Sequence, residues 1–165
     1  MKAARVVSML VVLGLMACDP LGAPYKDAAG VELTSGGDII GHVALCAGEK
    51  VTAITLQPGE WAKTPGASPP ASMMWGVASS TGGSIESFPI GSAPDGFRTF
   101  KPLAEPLDPH ASYYLVITTD LPGATTPAQV YFFPDDLHVD RVMSSNGNYV
   151  TSDAFHGSTP RKCSA

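Results

Sequence analysis

From Ile39 onward the chain never sustains an apolar run for long, because turn-forming residues cut it at short intervals. The runs are IIGHVALC, KVTAITL, MMWGVAS, SIESFPI, FRTFKPL, SYYLVITTD, AQVYFFP, LHVDRVM and NYVTSDAF. Between them stand QPGE, TPGASPPAS, STGG, SAPDG, EPLDP, LPGATTP, PDD and SNGN. Short β-rich runs at a spacing of roughly ten to fifteen residues suit an antiparallel sandwich or barrel. No stretch keeps a 3.6-residue apolar period with caps, so a large helix is not expected. The 17 glycines and 15 prolines serve these turns, while recurring Val, Ile, Leu and Phe argue against simple disorder.

Alternation assigns the faces of the strands. In SYYLVITTD, Tyr113, Leu115 and Ile117 point one way and Tyr114 and Val116 the other. In AQVYFFP, Val130 and Phe132 oppose Tyr131 and Phe133. Asn146-Gly147 predicts a two-residue hairpin of type I′, joining VDRVMSS to NYVTSDAF.

The segment before Ile39 has a different texture. Lys2 and Arg5 precede an uncharged, mostly apolar stretch from Val6 to Ala17. As a helix it would cover roughly 18 Å, short of a bilayer core, which suits a signal-peptide core better than a membrane span. Leu15-Met16-Ala17-Cys18 resembles the bacterial lipobox, with Met16 a less usual residue at its position. That resemblance implies diacylglycerol transfer to the Cys18 thiol and cleavage after Ala17. The alternative is ordinary signal-peptidase cleavage near Ala17, with Cys18 entering a disulfide. Two or more acyl chains anchor a protein stably. Asp19 resembles the residue that retains Gram-negative lipoproteins at the inner membrane, which implies the outer face of the cytoplasmic membrane.

The organisation expected is therefore a signal peptide over 1–17, a flexible tether over 18–38 and one β-sandwich domain over 39–165. VELT, inside the tether, is at most an edge strand. With Cys18 assigned to lipid, Cys46 and Cys163 remain as an even pair in an oxidising compartment, and a disulfide between them is expected. The alternative, one reactive thiol, lacks a nearby Cys/His arrangement.

Leu107-Asp108-Pro109-His110-Ala111-Ser112-Tyr113, followed by LVITT, resembles the approach to a strand in fibronectin type III domains. The resemblance implies a tyrosine corner at Tyr113, an immunoglobulin-like sandwich, and Trp75 as its buried tryptophan. The hairpin after Phe133 departs from that domain's length.

The net charge is −5 and becomes more acidic once Lys2 and Arg5 are removed, so nucleic-acid binding is disfavoured. Nucleophile motifs are lacking: there is no G-x-S-x-G, S-x-x-K or H-E-x-x-H. Ser79, Ser80 and Ser84 sit in a Gly/Ser stretch where hydroxyls commonly serve turns. Asp136, His138 and Asp140 would share one side of a strand and are weak candidates for metal ligands; the plainer reading is an acidic, solvated strand face. His42, His110 and His156 are isolated in sequence. Trp61, Phe97 and Tyr149 lie beside Gly/Pro-rich loops and are candidates for partner binding if exposed; the plainer reading is that they are buried and close the ends of the sandwich. The expectation is a lipid-anchored envelope protein with a non-catalytic binding or structural role, without a cofactor, whose partner is an envelope protein or glycan. A small envelope hydrolase and a metal-binding accessory lipoprotein are the alternatives.

Overall fold

The computed structural model describes residues 28–59, 73–120 and 127–157. The leader, Cys18, Trp61 and Cys163 lie outside them. The strands are β1 (Ala29–Leu33), β2 (Ile39–Val43), β3 (Val51–Pro58), β4 (Trp75–Gly83), β5 (Ser87–Pro89), β6 (Arg98–Lys101), β7 (Tyr113–Thr119), β8 (Ala128–Phe132), β9 (Val142–Ser144) and β10 (Tyr149–Val150), followed by the helix α1 (Ser152–Gly157). They form two five-stranded sheets. The first runs β10-β9-β1-β2-β5 and the second β6-β4-β3-β7-β8. All the strand pairs are antiparallel, giving an all-β sandwich with little helix.

The core lies between the sheets and is filled by the alternating residues the sequence points to. Tyr113, Leu115 and Ile117 of β7 and Val130 and Phe132 of β8 are all buried, while Tyr114, Val116 and Tyr131 are only partly covered. From the first sheet come Val31, Val43 and Phe88, and from the second Ile54, Leu56, Val77 and Trp75. Trp75 is fully buried, with its ring 6.3 Å from that of Phe88 and nearly parallel to it. Gly41 makes this closeness possible: a Cβ there would come within 2.5 Å of the Phe88 ring.

Several local expectations need correction. VELT is neither tether nor edge, because β1 pairs with β2 on one side and β9 on the other. The folded unit therefore begins by Ala29, and the turn Thr34–Asp38, closed by Thr34 N–H to the Asp38 carbonyl at 2.9 Å, makes β1 and β2 a hairpin. STGG is not a turn between strands. It belongs to β4, which takes a bulge opposite Val51 and Ala53 with Gly82 at φ 69°.

The C-terminal hairpin exists, with Met143 opposite Tyr149, but its turn is not type I′. Gly147 alone has positive φ, at 81°, and its N–H bonds the Ser144 carbonyl. That is a type I turn closed by a left-handed glycine, the longer hairpin solution. After Val150 the expected strand gives way to α1. Thr151 caps it: its hydroxyl accepts from the Ala154 N–H at 3.2 Å and its carbonyl from the Phe155 N–H at 2.9 Å. Six residues are too few to display a helical period, yet long enough to turn Phe155 onto the outer face of the first sheet against Ala44 and Val142.

Candidate functional site

One end of the sandwich collects most of the chemistry-bearing side chains. β1 enters the first sheet at Ala29 and reaches this end at Leu33, where Val139 forms a parallel bridge to it. The segment after β8 makes a 3-10 turn over Pro134–Asp136, started by the proline, whose fixed φ suits a first helical position. Opposite it stands the approach to β7. The Asp108 N–H donates to the Tyr113 hydroxyl at 2.7 Å, and that hydroxyl lies 3.3 Å from the Asp108 carbonyl it donates to. This is the tyrosine corner anticipated from the sequence. Burial raises the Tyr113 phenol above its ordinary 10.0, so it stays a donor at any physiological pH.

The corner holds Pro109 and His110 against the 3-10 turn. The Asp135 N–H bonds the Pro109 carbonyl at 3.2 Å, and the His110 N–H bonds Asp108 Oδ1 at 2.9 Å. Between them lies an open depression of about 280 Å³ lined by Pro109, His110, Phe133, Asp135 and Asp136. His110 Nδ1 sits 2.6 Å from Asp135 Oδ2, with both side chains largely in solvent, so the pair contributes well under about 1 kcal/mol to stability. Its value is chemical: an imidazole and two carboxylates rim an aromatic floor. Phe133 continues outward as an aromatic row, edge-on to Tyr131 at 5.5 Å, with Tyr131 6.2 Å from Tyr114.

The residues singled out in the sequence fare differently. Tyr149 is part of this end: its hydroxyl donates to the Asp136 carbonyl and its ring stacks on His138 at 4.2 Å. Burial, and then the Asp136 carboxylate, push its phenol above the ordinary range. Phe97 is not a surface residue. It is 8 % exposed and packs in the core, where Gly83 leaves room for its ring, so it offers a partner little. Trp61 lies outside the described residues, as do Cys18 and Cys163.

The strand that would have aligned Asp136, His138 and Asp140 does not form. Asp136 ends the 3-10 turn, His138 is engaged with Tyr149, and Asp140 adopts φ 57° before β9 begins. Among the described residues no group of three His, Cys, Asp or Glu side chains converges as a metal-ligand set. The depression itself was not anticipated. The only sequence signal was the tyrosine-corner motif, which places Pro109 and His110 at a strand entrance.

A second polar cluster occupies the outer face of the first sheet. His42 on β2 is 4 % exposed. Its Nε2 lies 2.8 Å from Glu32 Oε2 on β1, off the alignment of a full hydrogen bond, and its Nδ1 lies 3.1 Å from His156 Nε2 on α1. At the opposite end from the depression, the buried Glu49 carboxylate accepts from the Cys46 N–H at 2.8 Å and the Thr119 hydroxyl at 2.6 Å, closing the sandwich there.

No protein-family model matches the chain, and no curated protein or solved structure proves similar to it. Among the described residues no helix is long and apolar enough to cross a membrane.

Proposed function

We propose that this is a lipid-anchored lipoprotein of the cell envelope, held by Cys18 at the outer face of the cytoplasmic membrane, whose sandwich works by non-catalytic binding. The observation that carries the reading is where the depression lies. The chain coming from Cys18 enters the sheet at Ala29, and the depression opens beyond Leu33, at the other end of β1. The strand alone separates the two by roughly 15 Å. A tether at one end and an accessible, chemically varied surface at the other is the arrangement of a module that presents a binding face away from its membrane. The partner is an envelope protein or glycan able to donate hydrogen bonds to Asp135 and Asp136 and to pack on Phe133.

The finer fold assignment belongs with this reading. The Tyr113 corner at the entrance to β7, and Trp75 buried between two antiparallel sheets, support an immunoglobulin or fibronectin type III type of sandwich. β9 and β10 extend the first sheet beyond that plan, and α1 packs on its outer face. A Cys46–Cys163 bridge fits the course of the chain. Phe155 packs on Ala44, two residues before Cys46, and Cys163 follows Gly157 by six residues, a reach of about 20 Å.

The His110–Asp135 pair favours one second reading, a small hydrolase with an oriented imidazole base. Among the described residues the lining of the depression offers neither serine nor cysteine to serve as its nucleophile, so the binding reading is the one put forward. Mass spectrometry of the mature N-terminus tests the anchor. A diacylglyceryl-modified Cys18 is expected, and an unmodified start at another residue would contradict it.

A further inference from the structure

The outer face of the first sheet carries three titratable side chains that neither the sandwich core nor the depression uses. Glu32, His42 and His156 come from β1, β2 and α1, so His156 reaches the other two only when α1 lies on the sheet. Beside them Phe155 is buried, 6.0 Å edge-on from His42 and 5.2 Å from His156. α1 has six residues, too few to be helical on its own, so its fold depends on this docking. Its apolar contribution to the contact is Phe155 alone. The contact is thus small, and its polar half changes charge with pH.

We propose that Glu32, His42 and His156 form a pH-sensitive latch that holds α1 on the first sheet near neutrality and releases it in mildly acidic surroundings. With both imidazoles neutral, one ring donates to the other across the 3.1 Å contact, and the chain of polar groups ends on the Glu32 carboxylate. Protonating both places two N–H donors and two positive charges face to face, and the contact becomes repulsive. Glu32 stabilises one added proton but cannot compensate two. The other charged side chains on the elements packed around His42, Asp153 of α1 and Glu86 just before β5, are exposed, and water screens them.

The direction of titration agrees with this arrangement. Burial, foremost, and His156 draw the His42 pKa below its ordinary 6.5, against the opposing pull of Glu32. Proton uptake by His42 is therefore held back while α1 is docked and freed when it leaves. Docking is fully favoured above the ordinary histidine value and weakens as pH falls below it. Release uncovers Ala44 and Val142, otherwise buried beneath Phe155. The C-terminal segment thereby becomes the element of the fold that responds to acidity.

The test is amide hydrogen exchange on the full mature chain at pH 7.5 and pH 5.0, with rates expressed as protection relative to the unstructured peptide. Protection at the Phe155 amide, which bonds the Thr151 carbonyl, should fall about tenfold or more on acidification. Protection at Ile54 and Ile117 in the core should stay constant. His156→Gln retains a hydrogen-bonding side chain without a titrating charge and should remove most of the fall. Phe155→Ala should lose protection at both pH values, showing that the probe reads docking. Equal Phe155 protection at the two pH values in the wild type would overturn the latch, as would a fall that persists undiminished in His156→Gln.

Discussion

Replacing Trp75 with alanine should cost about 3–5 kcal/mol of folding stability. The ring is fully buried at the start of β4, stacked on Phe88 from the opposite sheet and level with Leu56 of β3. Removing it leaves a void that strands on both sides cannot collapse into, since each is held in register by its neighbours. For a domain whose total stability is about 5–15 kcal/mol, that loss is a large share of the whole. The phenylalanine substitution separates ring from dipole. Trp75 Nε1 is buried and finds no acceptor among the described residues, so Trp75→Phe gives up volume but no hydrogen bond. It should cost a minor fraction of the alanine variant. Urea unfolding measures both. A Trp75→Ala midpoint close to the wild type would mean that the tryptophan is not the centre of the interlayer packing.

The second large effect concerns the proposed Cys46–Cys163 bridge. It would close a loop of more than a hundred residues, and the chain-entropy argument puts its contribution at about 4–5 kcal/mol. It would also fix the chain beyond α1 to the end of the sandwich where Glu49 ties Cys46 and Thr119 together. Cys163→Ser should therefore lower the urea midpoint substantially. Adding reductant should do the same to the wild type and nothing further to the variant. A wild-type midpoint indifferent to reductant, with two titratable thiols at Cys46 and Cys163, would remove the bridge from the fold.

What the sequence revealed of this fold depended on how local the cause was. The faces of β7 and β8 were legible because alternation is written into consecutive residues, and Tyr113 because its partner Asp108 is five residues away. β1 was hidden. AGVEL sits between glycine-rich stretches, and what makes it a central strand is pairing with Val142–Ser144, more than a hundred residues later. α1 was hidden by brevity, although Thr151 with Asp153 in the first turn was a helix-start signal. The sequence left Phe97 open between exposed and buried, because Pro94, Asp95 and Gly96 before it carry turn chemistry. Such neighbours specify the path of the backbone and not the direction of the ring, which turns inward over Gly83. The site was the least legible part. Pro109 and His110 meet Phe133, Asp135 and Asp136 only because β7 and β8 pair, and His42 meets His156 only because α1 folds back.

The binding role of the Leu33 end is tested most directly in the intact envelope. A photocrosslinking residue in place of His110, on the rim of the depression, should give a discrete adduct in living cells. The same residue in place of Gly48, in the exposed turn near Cys46 at the other end, should give none. Asp135→Asn together with Asp136→Asn should lower the His110 yield severalfold while circular dichroism stays unchanged. Equal labelling from positions 110 and 48, or a yield from 110 indifferent to both carboxylates, would contradict a partner held at this end of the sandwich.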